Sequence, residues 1–218
     1  MKVRLEWKYR SAKGLETIFR SDEMPAAQSV QIAEDVERTK RVKELVFIDV
    51  FDDSVWTLKE MKAYLKSIET EPHDISVFFD GGFDVEDRNA GLGCVIYYSQ
   101  NGKSFRLRQN AQIDGLISNN EAEYAALHLC VQELEYLEVK NMPVHIKGDS
   151  KIAINGMSGE WAIVEKELVR WADRIEAKLA QLGIQPEFEL IPRKDNFEAD
   201  RLAGQALKGI EITGTSSL

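Results

Sequence analysis

The stretch ISVFFDGG, residues 75–82, decides how the rest of the chain is read. Ile75, Val77 and Phe79 fall on one face of an extended segment and Ser76, Phe78 and Asp80 on the other, so both faces carry large apolar side chains. Such a strand belongs inside a sheet that is covered on both sides. Asp80 then sits at the end of a central strand, before Gly81 and Gly82, and a partly buried anion in that place needs a partner.

Working downstream, Gly91–Tyr98 and Lys103–Gln109 read as two more strands, joined by the turn Ser99-Gln-Asn-Gly. Asn119–Val139 reads as a long helix, Val144–Lys147 as a short strand and Lys151–Met157 as a short helix. Glu165–Leu182 is a further helix, Pro186–Ile191 a strand and Phe197–Leu207 a last helix. The order βββαβααβα predicts an α/β architecture, a mixed five-stranded sheet flanked by helices over residues 75–210. Residues 211–218 are expected to form a frayed tail.

Upstream, Val3, Leu5 and Trp7 alternate with charged residues, and Leu15–Phe19 forms a second extended run, the pattern of a hairpin. A helix is expected from Pro25 to about Arg41, a strand over Leu45–Val50 and an amphipathic helix over Val55–Ile68. Residues 1–68 thus read as a small α+β domain, with the polar, proline-containing ETEPHD, residues 69–74, as linker. Within it the run RTKRVK at 38–43 is basic, and Trp7 or Tyr9 could stack on bases. A solvated helix end beside aromatics in a small core explains the same residues.

Composition narrows the function. With 44% hydrophobic and 30% charged residues in 218, the chain can bury a core. No apolar run approaches the roughly 18 residues of a membrane span, and the alternating N-terminus MKVRLEWKYR lacks the h-region of a secretory signal, so a cytoplasmic protein is expected. Cys94 and Cys130 lack metal or redox spacing and read as buried thiols. Of 28 Lys+Arg and 37 Asp+Glu, 13 of each lie in residues 1–70, so 15 and 24 remain and the net charge of −9 belongs to the C-terminal part. An acidic domain is a poor ligand for polyanions unless some of its carboxylates bind cations.

Four carboxylates stand where periodicity asks for apolar residues. Glu123 has Ala126, Leu127 and Cys130 at i+3, i+4 and i+7, and so faces the sheet, whereas Glu121 is expected to point away. Asp149 follows the strand VHIKG at a strand-to-helix turn, where α/β sheets place ligands. Asp200, with Ala203, Gly204 and Leu207 spaced likewise, lies on the packing face of the last helix. Taken singly, Asp149 could be a helix cap, Asp80 a turn residue, and Glu123 and Asp200 members of an ion network with Arg193 or Lys147. Together, four oxygen donors without His or Cys fit a divalent cation, Mg²⁺ or Mn²⁺ over zinc.

These residues carry a family resemblance. FFDGG at 78–82 with NAGLG at 89–93, SNNEAEY at 118–124, GDS at 148–150 and IPRKDNFEADRLA at 191–203 make residues 75–208 similar to ribonuclease H type 1, the bacterial, reverse-transcriptase-like form. The resemblance implies that Asp80, Glu123, Asp149 and Asp200 hold two Mg²⁺ or Mn²⁺ ions that cut the RNA strand of an RNA/DNA hybrid, leaving 5′-phosphate and 3′-hydroxyl ends. It implies further that Gly81, Asn89, Gly91, Asn119, Asn120, Ser150, Arg193 and Asn196 contact substrate. The glycines of 91–93 would let a strand approach the RNA backbone, and RNA would be told from DNA by its 2′-hydroxyls.

Three features depart from the family pattern. The histidine that many members carry before the last helix is absent from IPRKDN, where Arg193 or Lys194 is the substitute at hand. Residues 159–174 hold Lys166, Arg170 and Arg174 against Glu160, Glu165, Glu167 and Asp173, so there is no basic handle for the hybrid. The interval GGFDVEDR before Asn89 is long and acidic. A module that binds nucleic acid or a partner with little catalysis, or a nuclease for structured DNA or double-stranded RNA, therefore stand as rivals. The oligomeric state stays open, a monomer being one reading.

Overall fold

The computed structural model describes residues 1–218, which divide into two compact units, Met1–Thr70 and Glu71–Leu218. In the first, β1 (Lys2–Arg10), β2 (Glu16–Arg20), β3 (Met24–Pro25), α1 (Ala26–Arg38), β4 (Val42–Asp49), β5 (Val55–Trp56) and α2 (Leu58–Thr70) follow one another. The sheet order is β2-β1-β4-β5, with β3 on β1. Val3, Leu5 and Phe47 from the sheet meet Val30 and Ala33 of α1 and Met61 of α2 in a small core.

Two helix boundaries differ from the sequence reading. Helix α1 stops at Arg38, because Lys40 adopts a left-handed conformation (φ 57°) that turns the chain into β4. Val55 and Trp56 pair with β4 instead of starting α2. That helix begins after Thr57, whose N–H and hydroxyl both donate to Glu60 Oε2 while its Oγ1 accepts from the Glu60 N–H, a reciprocal cap.

The second unit runs β6 (His73–Asp84), β7 (Asn89–Gln100), β8 (Lys103–Asp114), α3 (Asn119–Tyr136), β9 (Pro143–Gly148), α4 (Lys151–Met157), α5 (Lys166–Leu182), β10 (Gln185–Leu190), α6 (Phe197–Leu207) and β11 (Thr213–Ser217). With α2 reaching Thr70 and β6 starting at His73, only Glu71 and Pro72 of the expected linker lie outside regular structure. The mixed sheet is ordered β10-β9-β6-β7-β8-β11. It has six strands and not five, since the expected frayed tail pairs antiparallel with β8, Thr213 opposite Gln109 through Ser217 opposite Phe105. Asn110 clasps that return: its amide donates to the Leu202 and Ile210 carbonyls and its Oδ1 accepts from the Ile212 N–H. TGTSS has no apolar alternation, so nothing in its pattern marks it as a strand.

Ile75, Val77 and Phe79 of β6 pack with Cys94, Ile96, Tyr124, Leu127, Cys130 and Ile175 on one face, under α3 and α5. Both cysteines are buried and free. The other face packs Phe78, Val95 and Tyr97 against Ala199 and Leu202 of α6. No helix is long and apolar enough to cross a membrane.

The glycines of β6 and β7 are seats for helices. A Cβ on Gly91 would lie 2.1 Å from the Ala203 carbonyl oxygen, one on Gly93 2.2 Å from that of Ala199, and one on Gly81 2.2 Å from the Ala122 carbonyl carbon. Gly81 is buried against α3, and Gly91 and Gly93 are buried against α6, so the glycines of 91–93 face a helix where an approach to the RNA backbone was expected. Gly93→Ala should cost about 3 kcal/mol in urea unfolding, or prevent folding, because backbone cannot yield as a side chain can. Gly204→Ala, with nothing within 4 Å of its Cβ, should stabilise by about 0.5–1 kcal/mol through helix propensity.

Candidate active site

The site forms where two parallel strands part. β6 pairs with β9 only from Ser76–His145 to Phe78–Lys147, while β6 continues along β7 to Asp84 and β9 continues along β10 to Gly148. Asp80 is therefore inside a strand, not at its end or in a turn, but just past the end of the parallel ladder. It lies opposite Gly93, on the face covered by α6. Asp149 leaves β9 on the other side of the gap. Ser150 caps α4, its Oγ accepting from the Ala153 N–H, so Asp149 is not the cap.

Asn196 bridges the gap. Its Nδ2 donates to the Phe79 carbonyl at 2.9 Å and to Asp149 Oδ1 at 2.6 Å, and the residue is 1% exposed. It positions Asp149 and satisfies a carbonyl that the broken ladder leaves over, and it is too buried to meet substrate. Glu123 arrives from α3 on the opposite face, where Gly81 lets the helix backbone come close and the Gly81 N–H donates to Glu123 Oε2 at 3.2 Å. Asp200, in the first turn of α6, pairs with Arg193 at 2.5 Å. Lys147 pairs with Glu189, away from the quartet.

Asp80 and Glu123 are each only 8% exposed. Burial, reinforced by Asp149 and Asp200, pushes the Asp80 carboxyl up to about 7. Burial, with Asp80 and Asp149 adding to it, pushes Glu123 up to about 9 against the pull of the Gly81 N–H. Arg193 is the one cation that offsets either acid, and its own side chain is 78% exposed. Asp80 thus feels Asp149 and Asp200, and Glu123 feels Asp80 and Asp149. No three acidic, His or Cys side chains already stand as a metal cage, but two buried and two half-exposed carboxylates are oxygen donors that suit a hard divalent cation.

Of the other predicted contacts, Asn119 is exposed and Asn120 half-buried, at the start of α3. Asn89 is half-buried with its Oδ1 unpartnered. Glu121 overturns the expectation that it faces away: it is 8% exposed, its Oε2 accepting from the Ile117 N–H and its Oε1 from Trp171 Nε1 of α5. With Ser118 Oγ accepting from the Glu121 N–H, this anchors the helix end that delivers Glu123. The spacing Ser118-x-x-Glu121 was the signal for it.

A family model described as reverse transcriptase-like matches residues 78–206, more than half of the chain. The chain belongs to the reverse-transcriptase-like ribonuclease H family. An uncharacterised protein, YpeP of Bacillus subtilis, is 43% identical over 209 residues, 95% of this chain and 91% of its own. The bifunctional protein Rv2228c of Mycobacterium tuberculosis is 30% identical over 128 residues, 59% of this chain but only 34% of that longer one. Its N-terminal RNase H domain superposes with a TM-score of 0.54 at 26% identity, covering 62% of this chain and 94% of that one. LC11-RNase H1, solved in complex with RNA/DNA hybrid, gives 0.56 at 28% identity over 62% of this chain and 98% of its own.

Of the two cations before the last helix, Arg193 reaches the quartet through Asp200. The acidic hairpin between β6 and β7 is partly self-capped: Asp84 Oδ1 accepts from the N–H groups of Glu86 and Asp87.

The raised acids make a signed prediction. Because the folded protein holds these protons more tightly than the unfolded chain, the stability they confer is full below about pH 4 and is lost as pH rises through about 7 for Asp80 and about 9 for Glu123. In EDTA at pH 8, Asp80→Asn should unfold at higher denaturant than wild type, by on the order of 2 kcal/mol. The gap should close by pH 4, and millimolar Mg²⁺ should stabilise wild type more than the variant.

Proposed function

We propose that this chain is a divalent-metal-dependent endoribonuclease that hydrolyses the RNA strand of RNA/DNA hybrids. The observation that carries the reading is the electrostatic coupling of Asp80, Glu123, Asp149 and Asp200, brought from β6, α3, the end of β9 and α6 to one gap. A structural ion network would surround such acids with cations, and only Arg193 is there. The LC11 relative, solved on RNA/DNA hybrid, supports the substrate class.

Asp80, Glu123, Asp149 and Asp200 would hold Mg²⁺ or Mn²⁺, two ions when substrate is bound, which supply Lewis acidity for in-line attack by water and for the departing 3′ oxygen. The protein does the rest. Asn196 fixes the Asp149 carboxylate, and the Gly81 N–H fixes that of Glu123, so neither needs to reorganise as charge develops. The exposed guanidinium of Arg193 is free to turn from Asp200 toward a phosphate. Asn119 and Asn120, on the rim at the N-terminus of α3, are placed to meet the substrate backbone, and Ser150 lies beside Asp149. Discrimination by 2′-hydroxyl and groove shape implies little sequence preference, with 5′-phosphate and 3′-hydroxyl products.

The test is cleavage of a labelled RNA/DNA hybrid beside single-stranded RNA, double-stranded RNA and DNA duplex, in Mg²⁺ and in Mn²⁺. Wild type should cut the hybrid alone, and Asp149→Asn should lose more than about 100-fold in rate while unfolding normally. Hybrid binding without turnover in either metal would instead identify a binding module, and cleavage of another duplex would overturn the substrate.

A further inference from the structure

The N-terminal unit holds a groove that its own core does not fill. Along the inward face of β1, Val3 and Leu5 are covered by α1, but the strand runs on to Trp7 and Tyr9, past the point where Lys40 turns the chain. The uncovered end of the sheet and the end of α1 enclose a cavity of about 560 Å³, with Trp7, Tyr9 and Phe19 as its floor, Val36 and Val42 as walls and Arg41 at the rim. Trp7 and Phe19 are stacked, 5.5 Å between centroids with planes 26° apart, and Tyr9 meets Phe19 edge-on. Phe19 is 45% exposed, on a strand with no buried residue.

The charge around the groove is one-sided. No carboxylate lines it. Arg41 donates to the Tyr9 hydroxyl at 3.0 Å and forms no ion pair, so its remaining N–H groups are open to an acceptor. It lies in RTKRVK, where Arg38 pairs with Asp35 and Lys43 with Glu16 but Lys40 and Arg41 form no ion pair, although the unit as a whole is neutral in formal charge. An apolar peptide would explain the aromatic floor but not an arginine held over it. A flat ring with a phosphate attached explains both, since every nucleobase offers a face for stacking and the adjoining phosphate an anion for a guanidinium. Bases inside a duplex have no free face.

We infer that this groove binds unpaired bases of single-stranded nucleic acid, stacking one or two on Phe19 and Trp7 with a backbone phosphate on Arg41. It is a second nucleic-acid site, independent of the four carboxylates and of whether they cut.

The experiment is fluorescence anisotropy of a labelled 12-nucleotide oligodeoxythymidine against the full-length chain in EDTA, where no metal chemistry runs, over a salt series. Wild type should bind the single strand in preference to a duplex of equal length. Phe19→Leu should weaken binding about tenfold while Phe19→Trp retains it, since only the latter keeps a stacking surface. Arg41→Gln should weaken it and reduce the slope of log K against log salt by about 0.7, one phosphate contact on a single strand. Matched urea midpoints would establish that the variants are folded. Absence of binding at 25 mM salt, equal binding of duplex, or indifference to both Phe19→Leu and Arg41→Gln would overturn the assignment. An apolar peptide that binds the groove and is not displaced by the oligonucleotide would overturn it as well.

Discussion

The parting of β6 and β9 after Phe78 and Lys147 shapes everything else in the second unit. A parallel ladder that ran on would bond the Phe79 carbonyl to the neighbouring strand and leave no room between them. By stopping, it releases one carbonyl and opens a gap into which acids from both sides can project. A buried carbonyl cannot be left unbonded without a cost of about 1–3 kcal/mol. Asn196 meets that need, and in doing so ties α6 to β6 and to Asp149 at once. The same side chain that repairs the sheet orients the site.

Close approach of helices is the second requirement. Glu123 and Asp200 come from helices on opposite faces of one sheet, and both must reach the plane of the sheet to share a site with Asp80. Ordinary side chains on β6 and β7 would hold the helices off. Gly81 seats α3 and Gly93 seats α6, each with backbone where a Cβ would stand. Glycines that suggest an opening toward substrate are instead the reason the acids meet. Holding them there is unfavourable: burial first, and then the neighbouring carboxylates, raise the pKa values of Asp80 and Glu123. An arrangement that costs stability is sustained by an asparagine bridge, a capped helix end and packed glycines, which is the pattern of a site kept for function and not for the fold.

The two units answer the acidity of the chain differently. The C-terminal unit bears the whole net charge and has no basic helix with which to grip a polyanion. The N-terminal unit is neutral by count yet keeps an unpaired arginine over an open aromatic floor. Count alone conceals this, because Lys8 and Lys43 are taken up by Glu16, and Arg20 by Glu6. What matters for a partner is the charge left after internal pairing.

Much of this was legible in the residues. Apolar side chains on both faces of ISVFFDGG announce a central strand, and helical spacing turns Glu123 and Asp200 toward the sheet, because periodicity is a local property that burial must respect. Residue order and spacing are enough for the α/β order, the family and the inward acids. The long-range matters needed the folded chain. TGTSS becomes a sixth strand because Asn110, a hundred residues away, clasps its approach. Glu121 turns inward because Trp171 on another helix offers it an N–H. Asn196 is a bridge and not a substrate contact because the ladder breaks beside it. Each depends on a partner distant in the chain, and no local pattern of apolar and polar residues encodes which distant groups will be left wanting a hydrogen bond.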